Sequence, residues 1–492
     1  MKLKNKPLNY ILRVGLAALV VLVLMAEQLG TRSPTGTGNI ASLTIAPAAH
    51  ANGGSTIYLP LAGRDFPLQT PFGIQSSGID EANGLSQMVT GGVNWIRSAG
   101  ITWSEVEPAQ GARNWSALAS IEQQFINASV NHLTPIIIVS STPTWAQSVA
   151  GRFCGPIRSD KLAAFASFVH DVVARYSGPP YNIHYWELWN EPDAPYNGPT
   201  AVGDPASAYG CWGDSTDAYY GGRYYAEMLK QVYPQIKAAD PSAQVLTGGL
   251  LLECNPNFYG AANCPSGKFF EGVLLNGGGN YFDGVSFHAY DYYTSLGEYG
   301  QYQKWGSRWD LTGPATIAKG QYLKGLLAKY NVTGKYLLNT EAAVLCPSAP
   351  TTLCDSASIE TTKAYYVPQL YATTLAEGLR ATLWYAWDDD WRQQSMMDAT
   401  YTPKPVYYAF QFAAQELRGA KFTQEIKTYA GVKAYEFNRG DRRIWIVWSF
   451  DGNPHQLTLP ATPSAAYDSD GTPLTPTGTP TITLEPSYLE WP

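Results

Sequence analysis

The feature that most constrains the fold of this chain is an alternation of short apolar segments with longer amphipathic ones between Phe72 and Leu417. The short segments have the length of buried strands, and the longer ones show the apolar spacing of surface helices. The eight candidate strands are Phe72–Gln75, Val93–Ser98, Pro135–Ser140, Ile183–Trp189, Gln244–Thr247, Gly284–His288, Tyr336–Asn339 and Ala381–Trp387. Eight strand–helix units predict an α/β fold, a (β/α)8 TIM barrel over residues 71–418.

The main structural alternative is an open, doubly wound sheet, which also alternates strands and helices. Such a fold commonly carries a glycine-rich phosphate-binding loop after its first strand, and no such loop follows Gln75. The candidate helices, including Lys161–Arg175, Tyr219–Ala239 and Pro405–Leu417, fall between or after the strands. The sequence therefore favours the closed barrel.

The N-terminal region has the pattern of an export segment. Three lysines within the first six residues precede an apolar run, Val14–Ala26, which is shorter than the roughly 18–20 residues of a membrane span. Residues 1–26 are therefore predicted to be a signal peptide or an uncleaved membrane anchor. Residues 27–70 are rich in Gly, Ser, Thr, Ala and Pro, which predicts a low-complexity linker. The folded part is expected to be secreted, or anchored at the outer face of the cell membrane.

The six cysteines fit the oxidising exterior that an export segment implies. Their spacing matches no zinc-binding pattern, so they are predicted to form structural disulfides. Two pairs are close in sequence within loop-like segments, and the remaining two cysteines are far apart. The predicted disulfides are Cys254–Cys264, Cys346–Cys354 and Cys154–Cys211.

The sequence after Gly419 changes character. Two apolar or alternating runs, Val432–Phe437 and Ile444–Phe450, are separated by a turn and followed by further Gly, Pro and Thr turns. Residues 419–492 are predicted to form a small antiparallel, β-sandwich-like domain. Two roles are open for it, carbohydrate binding and structural support of the barrel, and we favour structural support.

The amino-acid composition limits the classes of ligand that this protein is expected to bind. The net charge of −7 and pI near 5.5 argue against a nucleic-acid partner, which calls for a basic face. Aromatic residues make up 13% of the chain, including 15 Trp and 33 Tyr. Such rings offer flat apolar surfaces with a polar edge, which suit the C–H faces and hydroxyls of sugars. Core packing remains the more common role of any single Trp.

The strongest motif is the run Tyr185–Pro192, which contains Asn190 and Glu191 and falls where the fourth predicted strand ends. This is the catalytic face of a TIM barrel. A second apolar strand, the seventh, leads to Glu341. Cleavage of a glycosidic bond needs one carboxyl group that donates and then accepts a proton, and in retaining enzymes a second one that attacks the anomeric carbon. Glu191 and Glu341 are the candidates for this pair.

These motifs resemble the clan of retaining glycoside hydrolases that contains families 5 and 39, and the chain is nearest to family 39 or a family-5-like relative. The resemblance covers roughly Phe72 to Leu417. It implies that Glu191 is the general acid/base, that Asn190 holds the sugar 2-hydroxyl, and that Glu341 is the nucleophile.

The resemblance also implies roles for residues on three other strands. In Asn94–Arg97, Arg97 would hydrogen-bond the nucleophile. In Ser286–Tyr290, His288 and Tyr290 would reach the nucleophile and the sugar. At the end of the eighth strand, Trp387 would lie under the sugar at the point of cleavage. Trp103 and Trp145, in the loops after strands two and three, are candidate platforms for more distant sugars, and core packing is equally open for both.

Other acidic residues receive structural interpretations. Glu187 precedes Glu191 by four residues on the same strand face, so we expect it deeper in the barrel as the partner of an arginine. Glu105, Glu107 and Glu253 follow strands two and five, and we expect them at the rim.

The sequence predicts hydrolysis of a β-linked oligo- or polysaccharide with retention of configuration, by a monomer that needs no metal and no organic cofactor. Transfer of the glycosyl group to another sugar uses the same residues and stays open. A catalytically inactive glycan-binding barrel is the alternative from another class. An inverting hydrolase would need carboxyl groups about 6.5–9.5 Å apart.

Overall fold

The computed structural model describes residues 70–98, 100–197, 209–260, 263–293, 305–309, 313–347 and 354–492. The predicted export segment, and the predicted linker up to residue 69, lie outside these described residues. Within the described part of the chain, no helix is long and apolar enough to cross a membrane.

Eight parallel strands form a closed barrel at the centre of the molecule, as predicted. In chain order they are β1 (Phe72–Gln75), β2 (Trp95–Arg97), β3 (Thr134–Ser140), β4 (Tyr185–Asn190), β5 (Gln244–Gly249), β6 (Gly284–Tyr293), β7 (Tyr336–Leu345) and β8 (Ala381–Trp384). Neighbouring strands pair in sequence, β1 pairs with β8, and a β2–β3 pairing completes the ring. The short strands Ile101–Thr102 and Trp305–Gly306 extend this sheet at β3 and β6.

One main helix follows each barrel strand. These helices are α1 (Leu85–Thr90), α2 (Ala119–Val130), α3 (Leu162–Tyr176), α4 (Gly222–Ala239), α5 (Phe269–Leu275), α6 (Ala315–Lys329), α7 (Ser356–Ala376) and α8 (Pro405–Glu416). In α3 the buried residues recur at helical spacing, from Leu162 through Phe165 and Val169 to Val173, so one apolar stripe faces the sheet. Two short helices, Trp103–Val106 and Pro256–Tyr259, lie in the loops after β2 and β5.

Side chains fill the amino-terminal half of the barrel. A separate buried cluster consists of Trp95, Ile136, Leu246, Leu338, Ala381 and Leu383. Each of these residues lies near the start or middle of its strand, and the Trp95 ring meets the Tyr185 ring edge to face at 4.8 Å. This end is closed, so the polar groups of the barrel interior are at the carboxyl-terminal end.

The C-terminal part is an antiparallel β-domain, as predicted. Its strands are β9 (Lys421–Glu425), β10 (Val432–Arg439), β11 (Arg442–Ser449), β12 (His455–Gln456), β13 (Ala465–Tyr467), β14 (Pro473–Leu474), β15 (Thr481–Ile482) and β16 (Ser487–Trp491). Six strands form one sheet, and β12 pairs with β15 in a second. The larger sheet packs on the barrel: Phe412 of α8 meets Tyr488 edge to face at 4.9 Å, and Tyr435 and Trp448 share a core with α7 and α8.

Three disulfides pair the cysteines as predicted. Their Cα–Cα distances are 5.2 Å for Cys154–Cys211, 5.8 Å for Cys254–Cys264 and 5.9 Å for Cys346–Cys354. All three lie in loops at or beyond the carboxyl-terminal ends of barrel strands, where they cross-link the segments that surround the barrel mouth.

Candidate active site

Two buried glutamates meet at the carboxyl-terminal end of the barrel. Glu191 follows β4 with a backbone φ of 48°, a conformation that non-glycine residues adopt rarely and often at functional sites. Its N–H donates to the carbonyl of Gly249 at 2.9 Å, which holds the turn against β5. Glu341 lies within β7. One oxygen of each carboxyl group and one ring nitrogen of His288 all lie within 4.8 Å of one another.

Arg97 connects the two strands that carry these glutamates. Its guanidinium is fully buried and donates to Glu187 from Nε at 3.0 Å and from Nη2 at 2.6 Å. It also donates to Asn190 at 2.7 Å and contacts Glu341. The prediction that Glu187 is the buried partner of an arginine is confirmed. Arg97 therefore compensates two buried carboxylates and fixes the position of Glu341.

Alternate residues of β6 place two further side chains on the pair. The Tyr290 hydroxyl donates to Glu341 Oε2. His288 Nδ1 lies 2.7 Å from Glu191 Oε1 and 3.4 Å from Glu341 Oε2. Burial lowers the pKa of His288 well below its usual value, and the charges of Arg97 and Lys319 act in the same direction. The ring is therefore neutral near pH 7.

The two glutamates differ in how their charge is stabilised. Burial raises the pKa of Glu191 well above its usual value, and the negative charges of Glu341 and Asp193 raise it further. Burial also raises the pKa of Glu341, but the Arg97 charge and the Tyr290 hydroxyl oppose that rise. In contrast, Oε2 of Glu191 is buried without a hydrogen-bond partner. Glu341 is thus the carboxyl group that the protein supports as an anion, and Glu191 keeps its proton to higher pH.

Lys319 of α6 lies behind the site, and our sequence reasoning did not identify it. Its buried Nζ donates to the carbonyls of His288 and Leu251, both at 2.7 Å. Burial lowers its pKa to about 8, although Asp193 and Glu191 act to raise it. The signal was available, since Lys319 falls on the buried stripe of α6 with Thr316 and Leu323.

Asp193 completes the support behind Glu191. Its carboxylate accepts hydrogen bonds from the N–H groups of Leu251 and Leu252, both at 2.8 Å, and it is buried. Burial raises its pKa to about 6. Asp193 and Lys319 therefore both hold the start of the loop after β5, one through its N–H groups and one through a carbonyl.

Glu191, His288 and Glu341 form the one group of three acidic or histidine side chains, among the described residues, whose ligand atoms converge enough to hold a metal ion. Arg97 and Lys319 bring two positive charges close to it. Those cations offset the negative charge that would attract a metal, and the short His288–Glu191 contact suits a shared proton.

The three tryptophans considered as sugar platforms do not form exposed surfaces beside Glu191 and Glu341. Trp103 is fully buried; its Nε1 donates to Glu107 at 3.1 Å and its ring packs on Phe165. Trp387 is also fully buried, and its Nε1 donates to the carbonyl of Asn83 at 2.8 Å. Neither ring has an exposed face, so the expectation of a sugar platform at Trp387 is corrected, and Trp103 takes the core role that was equally open for it.

The third tryptophan, Trp145, lies in the loop after β3, and two of the glutamates expected at the rim lie in the loop after β2. Trp145 is half-buried, with Nε1 bonded to the carbonyl of Glu107 at 3.0 Å and Lys161 over its ring at 5.7 Å. Glu107, expected at the rim, is 2% exposed because it accepts hydrogen bonds from Trp103, Gly111 and Arg113. Glu105 is exposed. The loops after β2 and β3 therefore pack on one another, and of the three candidate tryptophans Trp145 is the one with a partly exposed indole.

The aromatic residue that does lie beside the pair is Tyr385, which directly follows β8. Its ring meets the Tyr290 ring edge to face at 5.9 Å, and its hydroxyl donates to Asp389 at 3.0 Å. The period of two along β8 could have identified it, because Leu383 points into the barrel and Tyr385 shares that direction. Tyr385 is half-buried, so part of its surface remains available to a ligand.

Substitution of Arg97 by methionine is expected to destabilise the protein strongly. It leaves Glu187 and Glu341 buried without their cation, and the loss of one partner of a buried ion pair costs about 3–5 kcal/mol. We expect that decrease in the free energy of unfolding at pH 7, measured by denaturant titration. Arg175→Met, which breaks an exposed pair with Glu122, is the control and should cost less than about 1 kcal/mol. Equal losses in both variants would contradict the role of Arg97.

Comparisons with known proteins agree with this architecture. No protein-family model and no curated protein sequence matches the chain. Among solved structures, a family 39 glycoside hydrolase from the gut symbiont Bacteroides cellulosilyticus WH2 superposes with a TM-score of 0.63 at 19% identity, over 85% of this chain and 80% of that one. The chain shares the fold of these hydrolases.

Two further structures extend the likeness. A family 30 endoxylanase from Clostridium papyrosolvens C71 has a TM-score of 0.55 at 12% identity, over 86% of this chain and 97% of that one. A monomeric β-xylosidase from Caulobacter crescentus CB15 has a TM-score of 0.53 at 16% identity, over 86% and 96%. The predicted resemblance to the glycoside hydrolase clan is therefore confirmed for the fold, a barrel with a C-terminal β-domain.

Proposed function

We propose that this protein is a retaining glycoside hydrolase that cleaves a β-linked glycan by double displacement. The observation that carries the proposal is the buried pair itself: a carboxylate bound by Arg97 and Tyr290 lies within 4.8 Å of a second carboxyl group of raised pKa. In retaining glycosidases the two groups lie about 5–5.5 Å apart, whereas inverting enzymes leave room for a water molecule. The short separation supports retention.

In the first step, a carboxylate oxygen of Glu341 attacks the anomeric carbon while the bond to the leaving oxygen breaks. Glu191 transfers its proton to that oxygen, so the departing sugar leaves as a neutral alcohol. Arg97 and Tyr290 hold Glu341 ionised and aimed, and Asn190, fixed by Arg97, is placed to hold the sugar 2-hydroxyl.

In the second step, the ionised Glu191 takes a proton from water, and the water oxygen attacks the anomeric carbon. The ester bond to Glu341 breaks and its electron pair returns to the carboxylate, which restores both residues. Attack of a sugar hydroxyl in place of water would transfer the glycosyl group instead. His288, neutral and 2.7 Å from Glu191, is suited to orient that carboxyl group in both steps.

A glycan-binding protein without activity is the alternative from another class. Burial of two carboxyl groups and two cations at the end of a barrel is energetically unfavourable, and binding alone does not require it. The site also raises the pKa of Glu191 while Arg97 and Tyr290 oppose that rise at Glu341, and such a difference between neighbouring carboxyl groups serves acid/base catalysis. The three disulfides fit the proposed location outside the cell.

The test is hydrolysis across a panel of aryl β-glycosides and β-glycans, with xylan and aryl β-xylosides first because two of the similar structures are a xylanase and a xylosidase. Wild type is compared with Glu191→Ala and Glu341→Ala. Loss of all hydrolysis in Glu341→Ala, together with loss of hydrolysis of glycans and other poor leaving groups in Glu191→Ala, supports the proposal. Glycan binding without hydrolysis of any member, or hydrolysis that survives both substitutions, would contradict it.

The pH dependence of kcat/KM should identify Glu191 as the acid. Activity needs Glu191 protonated, so it should fall as pH rises through the raised pKa of Glu191, well above the ordinary carboxyl value of about 4.3. Lys319→Met removes a positive charge that lowers this pKa, so the basic limb should move to higher pH. Lys324, on the same helix, forms its ion pair with half-buried Glu377 at the end of α7, so Lys324→Met is the control. A basic limb that does not move in Lys319→Met would contradict the assignment.

A further inference from the structure

The inner face of β6 continues outward past the catalytic pair. His288, Tyr290 and Tyr292 alternate along the strand, so their side chains share a face, and successive members are roughly 6.6 Å apart. His288 contacts Glu191 and Tyr290 contacts Glu341. Tyr292 is therefore one step further out, above the nucleophile.

A positively charged side chain lies next to Tyr292, at the outer end of β6. The guanidinium of Arg392 is 5.9 Å from the centroid of the Tyr292 ring and 4.6 Å from that of Trp391. Trp391 itself is 47% exposed. Both rings are within cation–π distance of the guanidinium, and arginines held beside aromatic rings are well suited to recognise planar or tetrahedral anions.

Arg392 has no anionic partner among the described residues: no carboxylate there lies within ion-pair distance of it, and its buried Nε has no hydrogen-bond partner. Arg308, another arginine near the rim, has Glu253 at 3.8 Å. A buried donor of a charged group that lacks a partner is unfavourable, so an incoming anion gains the full strength of the interaction.

The backbone around Arg392 is fixed. Its N–H donates to Gln394 Oε1 at 2.8 Å, and its carbonyl accepts a hydrogen bond from the N–H of Cys346 at 3.0 Å, directly after β7. Gln394 is fully buried and donates to the carbonyl of Asp389 at 2.8 Å. The backbone that carries the guanidinium is thus held in place before any ligand arrives, which reduces the entropy lost on binding.

Nearby groups connect Arg392 to the catalytic pair. Tyr209 is 48% exposed, and the charges of Glu191, Glu341 and Arg392 all act on its hydroxyl. The adjacent acid, Asp389, accepts the hydroxyl hydrogen bond of Tyr385 and is not within ion-pair distance of Arg392. Arg392 and the catalytic carboxyl groups therefore all lie close enough to one hydroxyl to act on it.

We propose that Arg392, with Tyr292 and Trp391, forms an anion-binding subsite one step beyond the point of cleavage, which takes the carboxylate or sulfate group of an acidic sugar unit. The proposal rests on the proposed glycosidase function and adds the substrate class, an acidic glycan. The guanidinium binds the anion through paired N–H groups, and the two rings contact the sugar.

The test measures binding in a Glu191→Gln background, so that hydrolysis does not interfere. One arm compares glucuronoxylan oligosaccharides with the same oligosaccharides after reduction of their carboxyl groups. A second arm compares sulfated β-galactan oligosaccharides with desulfated ones. Isothermal titration calorimetry at low and high salt gives Kd for each member, and the arm with the charged preference identifies the anion as carboxylate or sulfate.

We expect the charged members of one arm to bind roughly ten- to hundredfold more tightly than their neutral counterparts. Arg392→Gln should remove that preference and leave neutral binding unchanged, whereas Arg308→Gln, the matched rim control, should retain it. Equal binding of charged and neutral members, no binding in either arm, or a preference that survives Arg392→Gln would overturn the subsite. If one of these results came with hydrolysis of neutral glycans by wild type, the subsite would fail and the proposed function would stand. If binding depended on Arg392 but wild type hydrolysed nothing, the subsite would stand and the proposed function would fail.

Discussion

Replacement of Glu341 by alanine is expected to lower kcat/KM for an activated aryl β-glycoside by about 10⁴-fold or more, because no other group can form the glycosyl–enzyme bond. The fold should persist, since Arg97 keeps its contacts with Glu187. Added azide can enter the space left by the side chain and attack the anomeric carbon directly. We therefore expect partial rescue, with a glycosyl azide of inverted configuration.

The control for this variant is Glu105→Ala, which removes an exposed carboxylate from the loop after β2. It should leave the rate within about twofold of wild type, because exposed positions away from the site rarely matter. Undiminished activity of Glu341→Ala, or a rescued product of retained configuration, would contradict the assignment of Glu341 as the nucleophile.

Replacement of Glu191 by alanine is expected to have an effect that depends on the leaving group. Glycosides with poor leaving groups need the proton of Glu191 and should lose about 10²- to 10⁴-fold in kcat/KM. Dinitrophenyl glycosides need no proton, so their first step should change little, while the second step becomes slow without a base. Azide should accelerate that second step and give a glycosyl azide of retained configuration.

The measurement is a series of aryl β-glycosides of graded leaving-group pKa, compared in wild type, Glu191→Ala and the control Glu253→Ala. The side chain of Glu253 is 53% exposed and pairs with Arg308 on the surface. A loss that is the same for good and poor leaving groups would show that Glu191 is not the acid, because a missing proton donor cannot affect both equally.

The barrel was predictable because its strands are buried on both sides and are separated by amphipathic helices. The segment Ile183–Trp189 is apolar or aromatic at every position except His184 and Glu187, which is typical of a central strand, and β4 covers Tyr185–Asn190. Glu187 was placed beneath Glu191 by the same reasoning, and its pairing with Arg97 confirms it. The sequence was therefore sufficient to predict which way a side chain points wherever the two-residue periodicity of a strand determines it.

The residues that sequence reasoning missed depend on contacts between distant segments. Trp387 was expected to be a sugar platform and Trp103 was open to either role, but Asn83 and Glu107 supply acceptors for their indole N–H groups. Those partners lie in loops whose paths no local pattern predicts. Lys319 was missed for a different reason, since a lysine on a helix is usually solvated and becomes buried only when carbonyl groups receive its ammonium.

The proposed mechanism requires that Glu341 becomes covalently attached to the sugar during turnover. The most direct measurement uses the 2-deoxy-2-fluoro derivative of the best aryl β-glycoside, which forms the intermediate and hydrolyses it slowly, followed by peptide mapping with mass spectrometry. We expect one fluoroglycosyl group per chain, on the peptide that contains Glu341, and turnover-dependent loss of the label in buffer. A label on any other residue, or an active enzyme that acquires no label, would contradict the assignment of Glu341 as the nucleophile.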